Sequence, residues 1–301
     1  MTDFTFADIP EQTGKTTIVT GSNTGIGFEI ARHLARKGAR VILACRDGDK
    51  AAEAANEMKE GPERLEVDTL HLDLANIASV REAAETAQKE KQIDLLINNA
   101  GVMMPPLSHA TAGTELQFAV NHLGHFAFTA LLLGKLAENG GGRVVTQSSI
   151  AHKSGDIDFD NLDASNGYAK SPFYSQSKLA NLLFALELDR RLRAANSPVA
   201  SIACHPGVAA SELTRHLKGG AFFQPIMKVV LNTSEQGALP ALQAATDPNA
   251  EGGDYLGPRG LMEARGNTSG RAYKSERARD EALAKRLWEK SEELTGINFS
   301  V

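Results

Sequence analysis

Short β-branched or apolar runs alternate along this chain with stretches of helical period, and that alternation constrains the fold more than any other feature. Strands are expected at 15–20, 40–45, 65–72, 93–98, 143–148 and 199–204, with helices at 51–60, 77–90, 114–137 and 175–195. The first connection shows the pattern: Ile26, Ile30 and Leu34 recur at helical spacing before Gly38 supplies a stop. Such an order implies parallel strands joined by crossover helices, hence an α/β, doubly wound parallel sheet with helices on both faces. The alternation runs well past the length of a nucleotide-binding unit alone, which predicts one domain over 1–301. Three loop-like insertions, near 151–173, 207–233 and 251–270, interrupt it, and substrate selection is expected there because loops on a rigid scaffold commonly carry function.

The 301 residues are 42% hydrophobic and 23% charged, which excludes disorder and a disulfide-stapled miniprotein. With 32 Lys and Arg against 37 Asp and Glu the net charge is -5, so nothing in the overall balance favours nucleic acid or anionic lipid as a partner. Cys45 and Cys204 each sit in an apolar run without metal-ligand spacing and are expected to be reduced, buried thiols, in keeping with the cytoplasm. The opening segment carries Asp3, Asp8 and Glu11 and matches no signal peptide. The richest apolar stretch, 126–136, is interrupted by Lys135 and is shorter than the roughly 20 residues a bilayer needs, so no membrane anchor is expected.

Four motifs fall at the C-terminal ends of the expected strands, the edge where ligands of open α/β sheets bind. The first strand runs into Thr20-Gly21-Ser22-Asn23-Thr24-Gly25-Ile26-Gly27 and then a helix. Gly21 would permit the sharp turn, Gly25 the close approach of backbone to a pyrophosphate, and Gly27 tight packing of helix on strand. A glycine-rich turn of purely steric origin remains open for this segment. The fourth strand ends in Asn98-Asn99-Ala100-Gly101, which an ordinary Asn-Gly-type turn would also explain. After the fifth come Ser148-Ser149 and then Tyr174-Ser175-Gln176-Ser177-Lys178. At i and i+4 the Tyr and Lys share a helical face, where an ammonium can favour the phenolate and fit the phenol for proton exchange near neutral pH. The sixth strand is followed by His205-Pro206-Gly207-Val208-Ala209-Ala210-Ser211, on its own a Pro-Gly turn, and Asp73 after the third strand is on its own a helix cap.

In this order and spacing the motifs resemble the short-chain dehydrogenase/reductase family, from Gly14 to about Trp288. The resemblance implies a Rossmann-type sheet of strand order 3-2-1-4-5-6-7. It implies a catalytic tetrad of Asn121, Ser149, Tyr174 and Lys178, with Ser149 chosen over Ser148 because the second serine aligns. Tyr174 would be the general acid/base, Ser149 would hold the substrate oxygen, Lys178 would bind the nicotinamide ribose, and Asn121 would anchor a water in the proton relay. The cofactor set it implies comprises Gly21, Ser22, Asn23, Gly25, Ile26 and Gly27 in the turn, Asp73 at the adenine, Asn99, Ala100 and Gly101, and Pro206, Gly207, Val208 and Ser211 along the nicotinamide and diphosphate, with Tyr174 and Lys178. Thr-Gly-Ser-Asn-Thr-Gly-Ile-Gly, Ala-Cys-Arg-Asp, Tyr-Ser-Gln-Ser-Lys-Leu-Ala-Asn and His-Pro-Gly-Val look most like the retinol dehydrogenase and related carbonyl reductase branch. The N-terminal membrane helix of many microsomal members is missing, so a soluble member with an unassigned substrate is expected.

The second strand ends Ala44-Cys45-Arg46, with no carboxylate at the position that would meet the ribose hydroxyls of NAD and a guanidinium suited to a 2′-phosphate. This predicts NADP with Arg46 as its reader; Asp47 is the competing feature that would favour NAD. Leu213, Leu217, Phe222, Phe223, Ile226 and Met227, with Val229 and Val230, could form an apolar lid or be core or dimer contacts; Met103, Met104 and Leu107 would extend the lid's wall and suit a lipophilic carbonyl or alcohol. His109, His122, His125 and His152 show no metal-ligand spacing and are expected at the surface or lining the pocket, with no metal bound. Family resemblance favours a homo-oligomer through the helices 114–137 and 175–195, unless the C-terminal segment blocks them. The rival from another class is a nucleotide-sensing regulator that uses the same fold with little turnover.

Overall fold

The computed structural model describes residues 3–138, 140–208 and 232–301. One sheet contains β1 (Thr16–Thr20), β2 (Arg40–Cys45), β3 (Val67–His71), β4 (Leu95–Asn98), β5 (Arg143–Gln147), β6 (Ala200–Cys204), β7 (Tyr255–Pro258) and β8 (Ser269–Arg271). Their order is β3-β2-β1-β4-β5-β6-β7-β8; the first seven are parallel and β8 runs antiparallel to β7. The chain turns from one half of the sheet to the other between β1 and β4, so a crevice opens beyond their C-terminal ends.

Strand periodicity divides the core between the two faces. Val19, Val41, Leu43, Ile97, Val145 and Ile202 point one way and pack with Ile30 and Leu34 of the helix Gly25–Arg36 and with Leu239 and Leu242 of Ser234–Thr246. Their neighbours Ile18, Ile42, Leu96 and Val144 point the other way, against the helices Ile77–Ala87, Leu116–Ala137 and Lys170–Ala194. Burial on both faces explains why the central strands read as near-continuous apolar runs.

The segment 251–270 is not the loop expected of it, because it holds β7 and begins β8. β7 is Tyr-Leu-Gly-Pro and β8 is Ser-Gly-Arg: both are very short, and glycine and proline are depleted in strands. They form here because β6 offers Ala203 and Cys204 as partners for Tyr255 and Leu256. The helix expected at 175–195 starts earlier, at Lys170. Pro172 stands in its first turn, where a backbone N–H would have no partner within the helix.

Leu116–Ala137 is long and apolar enough to cross a bilayer by length and composition, unlike the shorter stretch considered from sequence. In this fold 83% of its apolar window is buried, which is the burial of a core helix. It contains a π-helical turn, Ala119–Leu123. The C-terminal helix Glu281–Thr295 packs on Lys170–Ala194 and carries Trp288 into a cluster with Phe126, Phe184 and Phe299. The chain's own C-terminus therefore occupies part of the face on which an oligomer contact was expected. Cys45 and Cys204 are free and buried, and burial raises both thiols, Cys204 to about 12.

Candidate active site

The glycine turn closes over the end of β4 through one side chain. Asn99 Nδ2 donates to the carbonyls of Thr20 (2.8 Å) and Gly21 (3.3 Å), and Thr20 Oγ1 accepts from the backbone N–H groups of Asn99 (3.0 Å) and Ala100 (2.9 Å). A methyl on Gly21 would lie 2.9 Å from Ala100 Cα, and one on Gly27 would lie 2.4 Å from Asn99 Nδ2 and 2.5 Å from Gly21 O. Gly25 is different: its φ is +62° and, among the described residues, no atom beyond its chain neighbours and its own helix backbone lies within 4 Å of where a methyl would go. The turn is thus packed shut at Gly21 and Gly27 and open at Gly25, at the N-terminus of a 12-residue helix.

Ser22 and Asn99 do not offer their side chains to this opening. The Ser22 hydroxyl is fully buried and donates to Val19 O at 2.7 Å, while the Asn99 amide is spent on the turn. Asp73 is half-buried and its carboxylate accepts from Ala75 N at 3.0 Å; the cap of the following helix is Asn76, so capping does not explain Asp73. Pro206 and Ile26 both approach Gly237, within 3.4 Å of a methyl placed there, so the segment after β6 meets the start of the first helix. Gly207, at φ +73°, lies against Ala264 O, and Val208 N donates to the same carbonyl at 2.8 Å. Ser211 and the apolar residues from Leu213 to Val230 lie outside the described residues.

The four tetrad candidates come from three elements. Asn121 sits in the π turn; its Nδ2 donates to Val102 O (3.0 Å) and Ser177 Oγ (2.9 Å), and its Oδ1 accepts from Val102 N (2.8 Å). Tyr174 and Lys178 lie on the helix Lys170–Ala194, both about 5% exposed or less, with Lys178 Nζ 5.7 Å from the Tyr174 ring centroid. Nζ also donates to Gln147 O at 3.3 Å. Gly101 joins them, since a methyl there would lie 3.1 Å from Asn121 Oδ1 and 3.4 Å from Lys178 Nζ.

The two serines after β5 part company. Ser148 turns inward and donates to Lys178 O at 2.7 Å, which anchors the helix to the sheet. Ser149 Oγ accepts from Ala151 N at 3.2 Å, and among the described residues its own proton has no acceptor. Its carbonyl is gripped by His152 Nδ1 (2.7 Å) and Tyr255 Oη (3.3 Å).

The four histidines, expected at the surface or lining the pocket, divide. His109 is exposed, but His122, His125 and His152 are buried within the fold. Burial pulls His122 down to about 3 and His125 to about 4, and lowers His152 as well, so these imidazoles are neutral at pH 7. Thr20 and Ser148 stand in the motifs and His152 was named from sequence, but without these contacts, and Tyr255 was not found at all; Thr20, Ser148 and Tyr255 each act through a partner distant in sequence. Among the described residues Glu29, His33 and Glu235 come close enough to share a cation, but Arg32 lies 2.5 Å from Glu29 and 3.6 Å from Glu235 and already supplies positive charge there.

At the end of β2, Arg46 is exposed. Asp47 is committed elsewhere: it accepts from Lys50 N (3.1 Å) to cap the helix Gly48–Glu60 and pairs with Lys50 Nζ (2.6 Å), which holds its carboxyl below the usual range.

The profile of the family described as short chain dehydrogenase matches residues 15–220. The chain belongs to that family. The dehydrogenase family uses a nicotinamide cofactor and acts on small-molecule alcohols and carbonyls. Retinol dehydrogenase 12 of Mus musculus is 43% identical over 289 residues, 95% of this chain and 88% of its own length. Retinol dehydrogenase 13 of Homo sapiens is 42% identical over 294 residues, 94% and 85% of the two chains. An uncharacterised protein from Mycobacterium paratuberculosis has a solved structure that superposes with a TM-score of 0.84 at 39% identity, covering 100% of both chains. The L-sorbose reductase of Gluconobacter frateurii, at 22% identity and a TM-score of 0.64 over 82% of this chain and 95% of its own, shares the fold. This dehydrogenase therefore lies in the retinol dehydrogenase-like branch.

Proposed function

We propose that this chain is a single-domain, NADP-dependent oxidoreductase that moves a hydride between nicotinamide and a lipophilic carbonyl or alcohol. The observation that carries the reading is the buried Lys178 ammonium facing the Tyr174 ring, with Gly101 and Asn121 beside it and the open Gly25 turn at the same sheet edge. A buried charge is costly unless its surroundings use it, and an ammonium beside a phenol favours proton exchange at the phenol oxygen. Bound nicotinamide supplies or accepts the hydride. Tyr174 Oη exchanges the proton with the substrate oxygen, and Ser149 Oγ–H holds that oxygen. Lys178 holds the nicotinamide ribose, and the helix start at Gly25 holds the diphosphate. Arg46 reads the 2′-phosphate; in support, Asp47 is occupied by Lys50 and by its helix cap. The lipophilic substrate rests on relatives named for retinol that are 42–43% identical over nearly the whole chain. Two free, buried thiols suit the reducing cytoplasm.

The test is oxidation of NADPH and NADH by the purified protein across aldehydes and ketones of increasing apolar size, with Arg46→Ala alongside. Turnover should rise with apolar size, and Arg46→Ala should raise KM for NADPH about tenfold or more while leaving that for NADH within about twofold. Equal effects on both cofactors would overturn the NADP assignment. Tight cofactor binding without turnover of any carbonyl would favour a nucleotide-sensing role instead.

A further inference from the structure

His125 lies between the glycine turn and Asn121, fully buried, and among the described residues each of its ring nitrogens has one hydrogen-bond partner. Nδ1 is 2.9 Å from the main-chain carbonyl of Asn121, and Nε2 is 2.8 Å from Thr20 Oγ1. A carbonyl can only accept, so Nδ1 carries the proton and Nε2 of the neutral ring is an acceptor. The Thr20 hydroxyl meets that requirement. Its oxygen already accepts from Asn99 N and Ala100 N, so its single proton is what remains to give, and Nε2 is nearer than the alternative acceptor, Ile97 O, at 3.3 Å. One direction of donation therefore runs from the end of β4, through Thr20 and His125, to Asn121.

We propose that His125 is a positioning residue: an imidazole of fixed tautomer that ties the glycine turn at the end of β1 to the Asn121 carbonyl, and so holds Asn121 and Lys178 in register with the bound cofactor. The π turn gives this brace a reason. It departs from the regular i+4 ladder of backbone hydrogen bonds, and a side-chain donor one turn on can fix a carbonyl within it. The ring cannot relay a proton between its two neighbours, because one of them is a carbonyl, so its contribution is geometric. Burial, and to a smaller extent the Lys178 charge, keep it neutral with a value of about 4, opposed by the contact with Asn121 O, so the tautomer persists across the working range. The inference rests on the oxidoreductase reading above.

Two substitutions separate the two ends. His125→Asn places an amide near Nδ1 and can keep the Asn121 contact while losing Thr20; His125→Gln reaches the Nε2 position and can keep Thr20 while losing Asn121. In the full-length protein, His125→Gln should lower kcat by about tenfold to a hundredfold, the scale expected of a small misplacement in an active site, with the NADPH Kd nearly unchanged. His125→Asn, which keeps the Asn121 contact but cuts the tie at Thr20, should raise the NADPH Kd and lower kcat by less than His125→Gln does. Melting temperatures of both variants provide the control. Changes in kcat and Kd that follow melting temperature in parallel, or no change in either, would overturn the brace. A wild-type protein that turns over no carbonyl and binds no dinucleotide would overturn the underlying reading, and the inference with it.

Discussion

A methyl group at Gly27 would enter the tightest contact of the glycine turn. It would lie 2.4 Å from Asn99 Nδ2, 2.5 Å from Gly21 O and 3.0 Å from Ser22 Cα, all closer than ordinary van der Waals contact or at its limit. Two of these are backbone atoms, and the third is an amide already donating to Thr20 O and Gly21 O, so none can yield without cost. Displacing the amide forfeits about 1 kcal/mol of hydrogen bonding, and the backbone shift adds roughly 1–3 kcal/mol. The better helix propensity of alanine returns about 1 kcal/mol. Gly27→Ala should therefore destabilise by about 2 kcal/mol, which at the usual unfolding entropy per residue lowers Tm by about 3 °C in a chain of this length. The same displacement opens the turn that the oxidoreductase reading assigns to the diphosphate, so the NADPH Kd should rise by about tenfold or more. Calorimetry of the free protein and titration with NADPH test both parts. A variant that melts within 1 °C of wild type (about the reading precision of the scan) and binds NADPH as tightly would refute the packing argument and the assignment of the turn together.

Trp288 is 2% exposed, its ring packs on Phe126 and Phe299 with centroids 5.1 and 4.6 Å away, and the Arg191 guanidinium lies 4.2 Å over it. Trp288→Ala should cost about 3–5 kcal/mol and uncover the apolar face beneath the C-terminal helix; a lower Tm with self-association on size exclusion is expected, and an unchanged melt would contradict the cluster's role. Acid should weaken the fold through its buried histidines. Burial holds His122 and His205 at about 3 and His125 at about 4, so they stay neutral in the fold while an unfolded histidine charges near 6.5. Their contribution is complete above pH 6.5 and is lost as pH falls toward the folded values, at about 1.4 kcal/mol per pH unit for each. Urea titrations at pH 7, 6 and 5 should show a progressive loss; equal stability at all three would contradict neutral burial.

The central strands were legible because burial on both faces demands continuous apolar, β-branched sequence, as in Ile18-Val19 or Val144-Val145. β7 and β8 were not, since Tyr-Leu-Gly-Pro and Ser-Gly-Arg owe their extension to a partner strand and carry little signal of their own. The tetrad candidates were found as a family resemblance, and the fold brings Asn121, Tyr174 and Lys178 to one edge. The supporting residues were invisible for a physical reason. Thr20 meets His125 across 105 positions, and Tyr255 meets Ser149 across 106, so no local spacing reports either contact. Of the histidines expected at the surface or lining the pocket, His109 is exposed, whereas nothing in local spacing reveals that the C-terminal helix covers His122 or that β7 covers His152.

The central claim is that Tyr174 exchanges the proton with substrate. The most direct measurement is steady-state turnover of the best apolar aldehyde or ketone by wild type and Tyr174→Phe, with the NADPH Kd of each measured in parallel. Removal of the phenol oxygen should lower kcat by about 100- to 10,000-fold, the range expected for a general acid/base, and leave the cofactor Kd within about threefold. Turnover by Tyr174→Phe within a few-fold of wild type would contradict the account.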